Sequence, residues 1–163
     1  MKILHIAAHM GGGIGSAYAG LGDCGQEQKV LLLEPPQDRT ALDRVQSAGF
    51  QIIQATEYSS IERVLEWADV VVFSWHHHPA LTRFLHNFSP VPIRSMLWCH
   101  VSGNYFPCVS ARFIQQFDQS IFATPFSLDL RQVQALGTEY LQRHCGVVYG
   151  LNDLSRFARI KRR

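Results

Sequence analysis

The sequence predicts an α/β fold: a doubly wound, Rossmann-like parallel sheet. Short, continuously apolar runs alternate with amphipathic segments, a glycine-rich turn follows the first run, and 47% of the 163 residues are apolar. Continuously apolar strands are typical of parallel sheets that are covered on both faces, and alternating strands and helices connect such sheets. This length and composition allow one substantial core, so a single domain is expected.

Each predicted strand is a short apolar run bounded by turn residues. The runs lie at 2–8, 29–34, 50–55, 69–75, 96–100, 120–124 and 145–152. The predicted helices lie at 16–26, 40–49, 61–68, 79–88, 111–117 and 130–136. The candidate cap and start residues of these helices are Thr40, Ser59 or Ser60, Pro79, and Ser127 or Asp129.

The basic residues are concentrated near the C-terminus. Five of the fifteen Lys and Arg residues fall within 156–163, which leaves ten against thirteen acidic residues, a charge of −3, in the rest of the chain. A nucleic-acid-binding face needs basic residues clustered on the folded body, so nucleic acid is not expected as a partner. The domain is assigned to 1–153. Residues 154–163 are interpreted as a basic tail or the start of an interdomain linker, and a solvated linker is favoured over contact with anionic lipid or a partner.

No apolar run approaches the roughly 18 residues of a membrane span, and the N-terminus lacks a secretory pattern. A cytoplasmic location is therefore expected. Membrane association stays open as an alternative, although no motif indicates it. The scattered positions of Cys24, Cys99, Cys108 and Cys145 predict reduced thiols, not a zinc knuckle or a disulfide framework.

The fold class predicts where a ligand would bind. In doubly wound sheets the ligand crevice lies beyond the carboxyl ends of the strands. The loops after Ala8, Trp75, Val101 and Thr124 should therefore converge on one site.

The glycine-rich turn at 9–16 comes close to a dinucleotide fingerprint without matching it. Ser16 takes the place of the third glycine, and the acidic residue expected after the second strand would be Glu34. Glycine residues have no side chain, so their backbone amides can approach an anion closely at a helix N-terminus. A tight turn with no ligand is the alternative, and Gly20 and Gly22 weaken the helix that follows by about 1 kcal/mol each relative to alanine.

Three consecutive histidines, His76 to His78, end the fourth predicted strand. They are internal, so they are not a purification tag. Neighbouring strand residues point to opposite faces, so at most His76 and His78 share a side, and a metal would need a third ligand from elsewhere. The histidines can line a pocket or simply cap the strand and the next helix.

Two tryptophan–histidine pairs repeat the same spacing on strands expected to be neighbours. Trp75-x-His77 and Trp98-x-His100 each place both rings on one face, because the side-chain period of a strand is two. Indole rings can stack on sugars, and imidazoles can hydrogen-bond to hydroxyls or phosphates. Core tryptophan is the alternative.

Five segments stand in a suggestive order: M-K-I-L-H-I with G-G-G after it, W-A-D-V-V-V-F-S-W-H, M-L-W-C-H, F-A-T-P-F-S-L-D-L and V-V-Y-G-L-N-D-L-S-R-F. Together they resemble the N-terminal half of GT-B glycosyltransferases of the large retaining type. The last segment resembles the stretch where those chains leave the N-terminal domain, with G-L-N-D at 150–153 in place of the usual N-G-V-D.

The resemblance implies transfer of a sugar from a nucleotide diphosphate donor to a small-molecule or glycan acceptor, with retention and with neither a cofactor nor a metal. His100 would be the catalytic residue that orients the donor or stabilises charge. A second Rossmann-like domain, in cis or as a separate chain, would hold most donor contacts, so the isolated chain should have little activity. The resemblance also places Gly12, Gly13 and Gly15 near the donor's phosphates or the acceptor. Together with the residues of the turn and of the strand ends, the candidate substrate-binding residues are Gly12, Gly13, Gly15, Ser16, Trp75, His76, His78, Trp98 and Thr124.

Two other functions remain open from the sequence. A stand-alone α/β module could bind a sugar, nucleotide or protein without chemistry. A nicotinamide-dependent enzyme is disfavoured by the incomplete fingerprint.

Overall fold

The computed structural model describes residues 1–22, 24–36, 39–54, 58–88, 92–106 and 108–150. For residues 58–60 it describes the backbone but not the side chains. The predicted tail at 154–163 and most of the closing motif, from residue 151 on, lie outside these ranges. Every described helix is too short or too polar to cross a membrane.

Seven parallel strands form one sheet in the order β3-β2-β1-β4-β5-β6-β7. The strands are β1 Lys2–Ala7, β2 Glu27–Leu32, β3 Gln51–Gln54, β4 Val70–Trp75, β5 Arg94–Cys99, β6 Gln119–Phe122 and β7 Cys145–Val147. Each coincides with a predicted strand to within a few residues. The predicted doubly wound α/β fold is confirmed.

The described helices connect these strands. They are α1 Gly12–Leu21, α2 Arg39–Ser47, α3 Tyr58–Trp67, α4 Pro79–Asn87, α5 Ala111–Ile114, α6 Arg131–Gln134 and α7 Thr138–His144, with a 3₁₀ turn at Pro125–Ser127. The prediction missed α7 because its sequence is mostly polar and none of its residues is buried.

The helix starts were the least accurate predictions. Thr40, Ser59 and Ser60 lie inside α2 and α3, which begin at Arg39 and Tyr58. Pro79 does start α4, and His78 is its cap. The predicted cap of the 130–136 helix is also wrong, because Ser127 belongs to the 3₁₀ turn and Leu130 precedes α6.

The helix α1 begins at Gly12, four positions before the predicted start, so the glycines form its first turn. Met10, Ile14, Ala17 and Tyr18 are all buried at helical spacing. Packing of this apolar stripe on the sheet outweighs the poor helix propensity of glycine.

The two faces of the sheet have separate cores. One contains Phe73, Trp75 and Cys99, and the other contains Val72 and Trp98. The alternation follows the period of two along each strand.

The chain runs from β1 to β2 and β3 on one side, then returns to place β4 on the other side of β1. This reversal makes β1 and β4 the topological switch point, where the ligand crevice of a doubly wound sheet forms.

Candidate functional site

Histidines from two different loops meet at the switch point. The ring of His9, after β1, lies 5.3 Å from that of His76 and 5.0 Å from that of His78, and the His76 and His78 rings are 5.5 Å apart between centroids. The sequence allowed at most His76 and His78 to share a side, and their rings do lie together, although both follow the end of β4 at Trp75 and are not strand residues. We call His9, His76, His78 and His100 the imidazole cluster. His100 follows β5, which lies next to β4, and His76 is close enough to contribute to the lowered pKa of His100.

His76 has a defined tautomer. Its Nδ1 lies 3.2 Å from the carbonyl oxygen of Ser74, which can only accept, so Nδ1 donates. The Nε2 atom then carries a lone pair, and it is buried without a hydrogen-bond partner. Burial lowers the pKa of His76, the Ser74 carbonyl opposes that shift, and the neighbouring histidines add to it. The ring is therefore a neutral hydrogen-bond acceptor near pH 7.

His78 joins the site to the end of β2. Its Nδ1 accepts a hydrogen bond from the Ala80 amide at 3.2 Å and so caps α4. The proton of the neutral ring is therefore on Nε2, which lies 3.6 Å from Oε2 of Glu34. Glu34 thus borders the site next to His78, as the sequence position after β2 suggested.

The turn after β1 holds His9 against the start of α1. The Gly11 amide donates to Nδ1 of His9 at 2.9 Å. A β-carbon on Gly11 would come 3.0 Å from that same nitrogen, so the turn has little room for a side chain. His9 is a site residue that the sequence analysis passed over. Its position directly after Ala8, at a strand end already expected to face the crevice, was the signal for it.

The predicted glycines differ in their surroundings. Gly12 is the first residue of α1, whose N-terminus has no side-chain cap. Gly13 is exposed, and a β-carbon there would meet nothing within 4 Å, so its backbone is open to a ligand. Gly15 is buried, and a β-carbon would lie 2.9 Å from the Met10 carbonyl oxygen, which makes it a packing residue. Ser16 is half-buried within α1.

His100 follows β5 and lies beside Trp98, with 4.4 Å between the ring centroids. Its amide donates to the Trp75 carbonyl oxygen at 2.9 Å, which fixes it to the end of β4. Burial, with smaller contributions from His76 and His5, lowers the pKa of His100 to about 4. Its Nε2 atom is also buried without a partner, so His100 enters the crevice as a neutral imidazole.

The two tryptophan–histidine pairs lie on opposite faces of the sheet. Each pair is in ring contact, at 5.4 Å for Trp75 with His77 and 4.4 Å for Trp98 with His100. However, Trp75 pairs in register with Cys99, and Trp98 pairs with Ser74. The expectation that both pairs line one crevice is therefore corrected, and His77 falls on the side away from the imidazole cluster.

Both indoles are core side chains. Trp75 is 8% exposed and Trp98 6% exposed, and each packs within one of the two cores. The two indoles pack against the rings of His77 and His100 and offer no free ring face for a sugar. Trp98 still lies beneath His100 on the site side, and Trp75 lies on the other side with Phe113, 4.6 Å away between centroids.

Thr124 lies at the end of β6, as expected, and its side chain already has a structural partner. Its hydroxyl oxygen accepts from the Phe126 amide at 3.3 Å and caps the 3₁₀ turn. The sheet order puts β4 and β5 between this residue and β1, so Thr124 is at the far side of the same edge.

His77 has an unusual backbone. Its φ of 61° is the only positive value of a non-glycine residue in the described ranges. Such conformations cost on the order of 1 kcal/mol or more and cluster at functional sites. The left-handed turn at His77 lets the rings on either side of it, those of His76 and His78, face the same crevice.

The chemistry available here is hydrogen bonding by imidazoles, and those of His76 and His100 are uncharged near pH 7. Buried polar atoms without partners are costly. A ligand hydroxyl could donate to Nε2 of His76, and a ligand hydroxyl could also pair with Nε2 of His100. For the described residues, no group of three or more His, Cys, Asp or Glu side chains is arranged to hold a metal ion.

Comparison with known proteins adds no assignment. No family model matches the chain, and no curated protein matches it.

Proposed function

We propose that this chain is the N-terminal, acceptor-side half of a retaining GT-B glycosyltransferase, which transfers a sugar from a nucleotide diphosphate to an acceptor hydroxyl. The observation that carries the proposal is the imidazole cluster at the switch point. Imidazole rings from the loops after β1, β4 and β5 lie at the switch point, and the loop that carries His9 leads directly into the uncapped N-terminus of α1.

The cluster suits a ligand rich in hydroxyls. A neutral imidazole can donate from one nitrogen and accept at the other, as sugar hydroxyls also do. His76 offers an acceptor, because its Nδ1 proton is committed to Ser74. His78 offers a donor at Nε2, because its Nδ1 accepts from Ala80. Such complementary groups can fix the orientation of a sugar ring.

His100 is the residue we assign to catalysis. Its position at the end of β5 matches the place that the resemblance implies for a histidine facing the transferred sugar. As a neutral ring held by Trp98 and by its own backbone, it can donate to or accept from the sugar with little reorganisation.

The N-terminus of α1 supplies the second element. The exposed Gly13 backbone and the helix dipole favour the negative charge of a departing diphosphate. Basic groups to neutralise that charge are expected on a second Rossmann-like domain. Under this proposal the chain needs that domain for turnover, uses no cofactor or metal, and acts in the cytoplasm on a small-molecule or glycan acceptor.

Two measurements test the proposal. The first is the DNA sequence downstream of the Arg163 codon, where a second Rossmann-like domain with a spaced glutamate pair would support a transferase half. A stop without such a neighbour would favour the stand-alone binding module.

The second measurement is turnover of a nucleotide-sugar panel, by the chain alone and by the chain joined to a donor-binding domain. Turnover only in the joined form is expected. Robust turnover by the 163 residues alone would overturn the proposed division of labour. Micromolar binding of NAD(H), without any response to nucleotide sugars, would point to the nicotinamide alternative.

A further inference from the structure

Two histidines at the switch point each accept a hydrogen bond from the turn that follows them. Nδ1 of His9 accepts from the Gly11 amide at 2.9 Å, and Nδ1 of His78 accepts from the Ala80 amide at 3.2 Å. Both bonds reach two residues ahead along the chain, which is the pattern that asparagine and aspartate form in Asx turns. We call His9, Gly11, His78 and Ala80 the histidine latch, because the two bonds hold the turns that lead into α1 and α4.

Both bonds of the latch require an uncharged ring. A neutral imidazole has one nitrogen with a proton and one with a lone pair, whereas a charged imidazole donates from both nitrogens. A proton taken up by His9 or His78 must therefore go to Nδ1, the atom that accepts from a backbone amide. Two donors would then face each other, so the bond that holds the turn breaks when its ring becomes charged.

The surroundings of the latch oppose a charged ring in its present position. The rings of His9 and His78 lie 5.0 Å apart between centroids, and the ring of His76 lies 5.3 Å from the first and 5.5 Å from the second. Positive charges on such close rings repel each other. His78 also caps α4, and Gly11 caps α1, so both rings lie at helix N-termini, where the helix dipole disfavours a cation.

Glu34 gives a charged His78 another partner. Its Oε2 lies 3.6 Å from Nε2 of His78, with the two side chains 36% and 22% exposed. The charged ring can keep this ion pair while its Nδ1 turns away from the Ala80 amide. His78 therefore has two arrangements, one in which the neutral ring caps α4 and one in which the charged ring pairs with Glu34 alone.

The other titratable groups around the latch are mostly histidines. His76 contacts both latch rings, His77 and His100 act electrostatically on His76 or are acted on by it, and His5 acts on His100. The charged residues of the adjoining helices are all exposed, and they are Arg39, Asp43 and Arg44 on α2 and Arg83 on α4. Glu34 is thus the carboxylate with a described contact to the latch.

We infer that the histidine latch is a proton-operated switch, which holds the turns before α1 and α4 in place at neutral pH and releases them in mild acid. The same two turns carry His9, His76 and His78, so release changes the walls of the candidate site and weakens ligand binding there. Histidine is the side chain whose charge ordinarily changes in this range, about pH 5 to 8. The inference concerns the turns and does not depend on sugar transfer.

The experiment is an NMR titration of the full chain from about pH 7.5 to about pH 5. At the upper pH we expect the proton of both latch rings on Nε2 and nuclear Overhauser contacts between the rings. As the pH falls, the Gly11 and Ala80 amide protons should shift upfield, each with the midpoint of the ring that accepts from it. The contacts between the rings should disappear, while the amides of Val72 and Leu97, within the sheet, stay in place.

The variant His9→Asn/His78→Asn separates the bond from its titration. Asparagine keeps an acceptor for each amide and takes up no proton, so Gly11 and Ala80 should stay bonded over the whole range. The single variant His78→Asn should hold Ala80 alone and serves if the double variant does not fold. Glu34→Gln removes the partner of the charged ring and should move the Ala80 midpoint to lower pH. The matched control His86→Asn, at an exposed position on α4, should titrate like the wild type.

Three results would overturn the inference. The Gly11 and Ala80 amides could stay in place in the wild type, or they could move equally in the asparagine variants. Val72 and Leu97 could move with the same midpoint, which would mean that the turns open only when the whole domain does. An Ala80 midpoint that is unchanged or higher in Glu34→Gln would overturn the pairing assigned to the released state.

Discussion

His9 and His78 meet nearly at right angles, with 5.0 Å between ring centroids and 82° between planes, although they follow different strands. Both rings use Nδ1 in the same way, because His9 accepts from the Gly11 amide and His78 from the Ala80 amide. Three members of the imidazole cluster, His9, His76 and His78, therefore come from the two turns that precede α1 and α4. The rings of His9 and His78 each help to hold their own turn.

The capping role of His78 can be tested by two substitutions. His78→Ala removes the acceptor for the Ala80 amide and should lower the free energy of unfolding by about 0.5–2 kcal/mol. His78→Asn keeps a capping oxygen and should retain most of the stability, while it loses the approach to Glu34. Urea unfolding of the three proteins measures the difference. Equal stability of the alanine and asparagine variants would show that the cap contributes nothing.

Two glycines of α1 should respond oppositely to alanine. A β-carbon on Gly15 would lie 2.9 Å from the Met10 carbonyl oxygen and 3.1 Å from the Ala41 β-carbon, so Gly15→Ala should cost about 1–3 kcal/mol. Gly13→Ala meets nothing within 4 Å and should be neutral or stabilise the helix by up to about 1 kcal/mol. Thermal unfolding of both variants distinguishes them. A stable Gly15→Ala protein would contradict the close packing of α1.

Stability should fall as the pH is lowered below about 6.5. Burial lowers the pKa of His5 from 6.5 to about 4, although Nε2 of His5 donates a hydrogen bond to Oε1 of Gln28, which opposes the shift. The unfolded chain therefore binds more protons than the folded chain between these values, so the free energy of unfolding rises with pH across that window and levels off above it. His5 contributes at most about 3 kcal/mol to this change in the free energy of unfolding. His100, whose pKa is also lowered to about 4, adds to it.

The variant His5→Gln tests this source of the pH dependence. It should be less stable at pH 7.5, because the packing of the ring against Tyr18 and Phe50 is lost, but its slope between pH 6.5 and 4 should be shallower. His86→Gln replaces an exposed histidine on α4 and should keep the wild-type slope. Urea midpoints measured across the pH range give both quantities. An unchanged slope in His5→Gln would exclude His5 as a cause.

The backbone of His77 predicts an unusual tolerance to glycine. At a φ of 61° a β-branched residue is strongly disfavoured, so His77→Val should destabilise the protein by more than about 1 kcal/mol. His77→Gly gains from relief of strain and loses the ring contact with Trp75, so it should remain near the wild-type stability. Thermal unfolding compares the two. A valine variant as stable as the glycine variant would contradict the left-handed turn.

The strands were predictable because burial on both faces requires continuous apolar sequence, and β4, V-V-V-F-S-W, shows this directly. The start of α1 was not predictable, because Gly12, Gly13 and Gly15 have low helix propensity and only tertiary packing makes them helical. For the same reason the polar, unburied α7 left no periodic signal.

The edge of the sheet that holds the site was also predictable, since His76, His78 and His100 all follow strands. The arrangement of the side chains within the site could not be predicted. The offset that pairs Trp75 with Cys99 is set by the contact between β4 and β5, and spacing within each strand carries no information about it. The sequence therefore could not show that the two tryptophans lie on opposite faces.

The central claim is that His100 faces the transferred sugar, and it is tested most directly by kcat of His100→Ala in the chain joined to its donor-binding domain. Loss of a neutral, preorganised hydrogen-bonding group should lower kcat by about 10²-fold, with the KM for the donor changed much less. The matched variant His86→Ala, exposed on α4, should leave kcat unchanged. An unchanged kcat in His100→Ala, with the protein folded, would remove His100 from the mechanism and contradict the proposed site.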